Sequence, residues 1–174
     1  MLFRSRDPKS IVDVCTGSGC IAVTLAKKLP AAEIFATDAS AEALAVARAN
    51  AERNGVEKNV RFFEGDLLSP LPSSTKVDAV VSNPPYIASG DWAKLPKEVR
   101  DFEPALALTA GEDGLEIIRR LATTAGRVLS PTGFLALEMG AGQRAAVVEI
   151  LEANKRSEEH TSELQSHSDL VCRL

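Results

Sequence analysis

The chain has 174 residues, enough for one α/β domain with a sizeable core, and its 45% hydrophobic and 25% charged content is that of a globular protein. A net charge of −4 argues against an enzyme that grips duplex DNA or RNA, which would carry a basic face. No apolar run approaches the ~18 residues of a membrane span, no signal peptide precedes Ile11, and three cysteines without an even framework or a Cys-x-x-Cys spacing point to a reduced, cytoplasmic protein without membrane partners.

The chain opens with Ile11-Val12-Asp13-Val14, a short buried-strand run, followed by Cys15-Thr16-Gly17-Ser18-Gly19-Cys20 and a helical pattern with Ile21, Leu25 and Leu29 on one face. Strand, glycine loop and helix in that order suit a nucleotide-binding βα turn, in which Gly17 and Gly19 allow a tight bend and close approach of a ligand. The full dinucleotide pattern is not met, because Cys15 and Val23 stand where its first and third glycines belong, and no P-loop lysine and hydroxyl pair follows.

Glu33 to Thr37 form a second strand ending in Asp38, where an acidic side chain can hold both hydroxyls of a ribose. Ser40 caps a helix running to about Asn54, with Gly55 as its stop. A third strand, Val60 to Glu64, leads to Gly65-Asp66, whose carboxylate suits an exocyclic adenine amine. The alternative role for Asp38 and Asp66 is that of helix cap or turn former. Val77 to Val81 form a fourth strand, 113–129 a helix, 133–138 a fifth strand ending in Glu138, and 141–154 a further helix. Ligands of open α/β sheets bind beyond the carboxyl ends of the strands, so the glycine loop, Asp38, Asp66 and Asn83 converge on one crevice of a doubly wound, mostly parallel sheet.

The fourth strand delivers the tetrapeptide Asn83-Pro84-Pro85-Tyr86. Two prolines remove two N–H donors and stiffen the backbone, which leaves an acceptor surface. An NH2 group conjugated to a carbonyl or a ring is a poor nucleophile because its lone pair is delocalised. The Asn83 side-chain oxygen and the Pro84 carbonyl can each take one N–H and aim the nitrogen at an electrophile, with Tyr86 packed on the planar group. A proline-rich turn after a strand is the plainer alternative.

These residues carry a family resemblance. Asp13-Val-Cys-Thr-Gly-Ser-Gly, Asp38, Gly65-Asp66 and Asn83-Pro84-Pro85-Tyr86 resemble the class I S-adenosylmethionine-dependent methyltransferases. Glu98-Val-Arg-Asp-Phe-Glu-Pro-Ala-Leu-Ala-Leu108 and Gly111-Glu-Asp-Gly-Leu-Glu-Ile-Ile-Arg-Arg120 narrow this to the N5-glutamine methyltransferases that modify peptide chain release factors. The resemblance covers roughly residues 10 to 154. It implies S-adenosylmethionine as cofactor, with Cys15 to Gly19 as the cofactor loop, Thr16 to Gly19 along the methionine part, Asp38 on the ribose and Asp66 on the adenine. The sulfonium methyl would sit near Asn83, and Asn83 to Tyr86 would hold the substrate amide of a release factor. Relatives often carry an aromatic residue after the Gly-Asp pair; Leu67 stands there in this chain and leaves contact with weaker stacking. Glu103-Pro104, in the long loop after Tyr86, suits closure over a peptide, or else a turn with a solvated carboxylate.

The Cys15-Thr16-Gly17-Ser18-Gly19-Cys20 wording is shared with a sister group that acts on a ribosomal-protein glutamine. The Asn-Pro-Pro-Tyr element is shared with adenine-N6 and guanine-N2 enzymes, which act on a flipped base; Trp92 and Lys94 are a thin version of the basic and aromatic cluster that such a site needs. From Arg156 the chain drops the βα rhythm. Residues 156–174 resemble a translated sequencing adapter and are expected to be foreign to the domain formed by residues 1–155. Both histidines, His160 and His167, lie there, so a histidine-based metal site, triad or general base is not expected. The resemblance further implies a helical N-terminal domain and a C-terminal strand hairpin. Both are expected to be missing, which would leave the fifth strand as a bare sheet edge and raises an inactive fragment as a further alternative.

Overall fold

A computed structural model describes residues 8–154 and the strands Glu163–Leu164 and Asp169–Cys172. Five parallel strands, β1 (Ser10–Val14), β2 (Glu33–Asp38), β3 (Val60–Glu64), β4 (Val77–Ser82) and β5 (Leu129–Glu138), alternate with helices α1 (Cys20–Lys28), α2 (Ala41–Arg53), α5 (Glu116–Val128) and α6 (Arg144–Ala153). Two short helices, α3 (Lys97–Phe102) and α4 (Ala105–Leu108), lie in the long connection from β4 to α5, after a 3-10 turn over Ser89–Lys94. Strands β6 (Glu163–Leu164) and β7 (Asp169–Cys172) complete one edge of the sheet, whose order is β3-β2-β1-β4-β5-β7-β6.

The strands are runs of β-branched and apolar residues because both faces of a parallel sheet are covered. Alternation divides them into two cores. Ile11, Ile34, Ala79 and Phe134 face the α1 side with Ala22, Leu25 and Ala26. Val12, Val80 and Leu135 face the α5 and α6 side with Ile118, Leu121, Val147 and Leu151. The buried stripe of α1 is Ala22, Val23, Leu25 and Ala26, displaced from the expected Ile21, Leu25 and Leu29 face, since the two alanines let the helix lie close to the sheet.

Register aligns the strand ends. Val14 pairs with Thr37 and with Ser82, Asp38 with Glu64, and Ser82 with Leu137. The order in which strands are added across the sheet reverses between β1 and β4, so the loops after Val14 and after Ser82 leave neighbouring parallel strands at one level on opposite sides of a crevice.

The expected helix over Ser40 to Asn54 stands: the Ser40 hydroxyl accepts from the Ala43 amide at 3.0 Å, and Gly55 turns the chain out at φ 68°. α5 starts later than residue 113 because Gly111 and Gly114 adopt φ 75° and Asp113 Oδ1 accepts from the Leu115 amide, which holds a turn ahead of the helix. β5 begins earlier than residue 133, at Leu129, with an irregularity before the regular ladder at Phe134.

The expectation of a bare sheet edge at the fifth strand is overturned. β7 pairs antiparallel with β5, Leu135 opposite Cys172 and Leu137 opposite Leu170, and β6 pairs with β7. The physical reason is that an open edge presents unpaired N–H and C=O groups, and a partner needs only extended backbone to meet them. Strands of four and two residues from the adapter-like tail suffice for that.

Candidate functional site

The loop after β1 is held from three sides. Thr16 donates its hydroxyl to Asp13 Oδ2 at 2.6 Å and its amide to the Thr37 carbonyl at 3.0 Å. Asn50 of α2 donates Nδ2 to the Ser18 carbonyl at 2.9 Å. The Gly17 amide donates to Asp38 Oδ2 at 2.8 Å, while Ser40 donates its amide to Asp38 Oδ1 at 2.9 Å. Asp38 is therefore both a turn former and half-exposed at the crevice, and its oxygens retain lone pairs beyond those two bonds.

The two glycines of the loop serve different ends. A Cβ on Gly17 would meet nothing within 4 Å, so this side is open to a ligand, whereas one on Gly19 would sit 2.9 Å from the Ala47 Cβ. Gly19 thus permits close packing of the loop on α2. Cys15 occupies the first-glycine place of the fingerprint and adopts a left-handed φ of 58°, and Leu67, beside Asp66, adopts φ 49°. Left-handed backbone at non-glycine residues costs on the order of 1 to 3 kcal/mol and clusters at functional sites. Both positions border the expected cofactor.

Burial sets the charges. Asp13 is fully buried; Oδ2 also accepts from the Ala22 amide at 3.0 Å, while Oδ1 has no hydrogen-bond partner among the described residues. Loss of solvation pushes its pKa up to about 7 against two hydrogen bonds that lower it. Burial, then the Asp38 charge, pushes the Cys15 thiol up to about 12, which keeps it protonated and unreactive at neutral pH.

On the other side of the crevice the Ser82 hydroxyl donates to the Val14 carbonyl at 2.6 Å, tying β4 to β1 where the loops part. Asn83 is exposed, Pro84 buried, and Pro85 and Tyr86 half-buried. The Tyr86 hydroxyl donates to Glu138 Oε1 at 3.4 Å; burial first and the Glu138 carboxylate second raise its pKa. Segment 87–89 then pairs with 108–111: the Ile87 amide donates to the Leu108 carbonyl and the Ala110 amide to the Ile87 carbonyl, both at 2.9 Å. Glu103 lies on the exposed excursion between these segments, at the end of α3.

Asp66 and Leu67 line a cavity of about 460 Å³ between the β3 loop and α5, with Thr123, Thr124 and Arg127 on its far side. Arg120 forms an ion pair with Asp66, and both residues are largely exposed. Leu67 is buried in the core cluster.

Residues 2–97 match the model of the methyltransferase small domain. The chain belongs to that family. The release factor glutamine methyltransferase of Gloeobacter violaceus is 49% identical over 146 residues, which span 84% of this chain and 51% of that protein. The ribosomal protein uL3 glutamine methyltransferase of Burkholderia pseudomallei is 41% identical, over 79% of this chain and 46% of its own length. The chain thus spans about half the length of the curated relatives it matches. Among solved structures, the ribosomal protein L11 methylase of Lactobacillus delbrueckii subsp. bulgaricus superposes with a TM-score of 0.67 at 22% identity, covering 94% of this chain and 69% of that one, which shows the methyltransferase fold.

In this methyltransferase domain the strand-end residues expected from sequence, Cys15 to Gly19, Asp38, Asp66, Leu67 and Asn83 to Tyr86, all leave the carboxyl end of the sheet. Sequence reasoning missed three contributors. Arg120 shares Asp66, Glu138 anchors Tyr86, and Gln143 bonds the Tyr86 carbonyl. Glu138 had a signal, an acid at the end of the fifth strand, whereas Gln143 had none. Among the described residues no group of three or more His, Cys, Asp or Glu is arranged to hold a metal, and no helix is long and apolar enough to cross a membrane.

Proposed function

We propose that this chain carries the catalytic core of an enzyme that transfers a methyl group from S-adenosylmethionine to the side-chain amide nitrogen of a glutamine in a peptide chain release factor. The observation that carries the reading is the register of Val14 with Ser82, which sets the open Gly17 loop and the acceptor loop at Asn83 on adjoining strands. The names of the relatives at 41 to 49% identity support the substrate class.

The residues fit the cofactor. Asp38 meets the ribose, Asp66 the adenine amine, and Cys15 to Gly19 the amino-acid portion, with a half-exposed carboxylate and an open glycine at hand. When bound, S-adenosylmethionine supplies an electrophilic methyl group on a cationic sulfonium. The chain supplies alignment: Asn83 and the Pro84 carbonyl accept the two amide N–H groups, and the Pro84–Pro85 backbone holds those acceptors at little further entropic cost. Tyr86 packs on the amide plane, its ring steadied through Glu138. Glu103 closes over the peptide from the connecting excursion. Residues 1–155 carry this chemistry, while Glu163–Leu164 and Asp169–Cys172 lend backbone to a sheet edge. The enzyme acts in the cytoplasm on translation termination, without direct nucleic-acid binding.

A ribosomal-protein glutamine is the second reading, favoured by the uL3 enzyme's 41% identity. Labelled S-adenosylmethionine, incubated with this chain and separately with a bacterial release factor, the ribosomal protein and RNA, tests both. Label on the release factor alone is the expected result; label on RNA overturns the proposal.

A further inference from the structure

Gln143, at the N-terminal boundary of α6, has both ends of its side-chain amide engaged. Its Oε1 accepts from the Gly140 amide at 2.8 Å. Its Nε2 donates to the Tyr86 carbonyl at 2.9 Å and to the Asp113 carbonyl at 3.3 Å. One acceptor and two donors are matched by one amide N–H and two carbonyls, a set that glutamine meets and glutamate does not. The pieces it joins lie far apart in sequence: the end of the acceptor loop, the turn before α5, and the turn after β5.

The backbone around this amide leaves no slack. A Cβ on Gly114 would stand 2.2 Å from the Tyr86 carbonyl oxygen and 2.8 Å from Gln143 Nε2. One on Gly140 would stand 2.9 Å from Gln143 Oε1 and 3.3 Å from the Tyr86 ring. Two glycines have therefore let the turns close onto the Tyr86 carbonyl and the amide that grips it. With the ring held through Glu138 and the carbonyl through Gln143, Tyr86 is fixed at both ends. Pro84 and Pro85 are too stiff to absorb a displacement of Tyr86, so any shift there passes back to Asn83.

We propose that Gln143 is a positioning residue for methyl transfer, setting the aim of the Asn83 and Pro84 acceptors through the Tyr86 carbonyl. This rests on the reading of Asn83–Tyr86 as the amide site. Gln143 lies outside the glycine loop and the Asp38 and Asp66 strand ends, so it acts on turnover and not on cofactor affinity.

The test uses Gln143→Glu, which keeps the bond from Gly140 but turns an oxygen on two carbonyls, and Gln143→Ala, which removes all three bonds. Tyr86 is the only tyrosine of the chain, so 3-fluorotyrosine gives a single 19F resonance at the site. The expected result is a shifted or broadened Tyr86 resonance in both variants, a fall in kcat of about 10- to 100-fold, and S-adenosylmethionine affinity within about twofold of the parent, since misaligned acceptors cost rate while uniform binding is kept. A parental Tyr86 resonance overturns the proposal whether or not turnover is measurable. So does cofactor affinity that falls in step with kcat, or a failure of both variants to fold, either of which makes Gln143 purely structural. Asn83→Ala, run alongside, separates the two readings. Parental turnover in that variant sinks the amide site itself, whereas parental turnover in the Gln143 variants with a dead Asn83→Ala sinks only the positioning role.

Discussion

Asp38, at the end of β2, accepts the Gly17 amide at 2.8 Å across 21 residues of chain, so the acid expected to hold a ribose also shapes the glycine loop. Asp38→Asn preserves size but turns one N–H donor toward the Gly17 or Ser40 amide. Leaving such a group unpaired is expected to cost about 1 to 3 kcal/mol, shared between loop order and S-adenosylmethionine affinity. Titration calorimetry together with thermal unfolding checks this; an unchanged affinity beside a lowered Tm would confine Asp38 to the turn.

Asn83→Ala removes an exposed side chain with no role in the core. Turnover should fall by about a hundredfold or more, while S-adenosylmethionine affinity holds, because the lost acceptor acts on the aligned amide. Steady-state kinetics with a release factor measure it, and a parental rate would remove the acceptor role from the loop.

Asp13 gives stability a pH dependence of defined sign. Its folded pKa, about 7, lies above the unfolded carboxylate value of 3.8, so the folded state binds the extra proton between those values. The contribution is fully present below the unfolded value, declines as pH rises through the folded one near 7, and is level above it. Asp13→Asn cannot ionise and should lack this decline. Urea unfolding of both proteins across the interval from about pH 4 to about pH 8 decides the matter, and parallel profiles would refute the assignment.

β7 covers the edge of β5 between Leu135 and Glu138. A chain ending at Asn154 should exchange the amides of residues 135–137 faster by orders of magnitude and should self-associate, since the edge is then open. Equal protection with and without the tail would show that the pairing contributes nothing in solution.

Much of this protein was determined by sequence alone. β-branched runs separated by helical periods specify a doubly wound sheet, and Gly17, Asp38, Asp66 and Asn83 mark the strand ends at which the site is proposed, because strand ends and turns obey local rules of backbone and spacing. The contacts of Gln143, Arg120 and Gly114 were decided by tertiary structure. Gln143 meets the Tyr86 carbonyl across 57 residues, and Arg120 meets Asp66 across 54. No local pattern encodes such meetings, which arise only when helices dock on both faces of the sheet. The C-terminal hairpin belongs to the same class. Nothing in a polar, adapter-like tail marks two strands, yet the unpaired backbone of β5 recruits them, because hydrogen-bonding demand at a sheet edge is a property of the assembled fold.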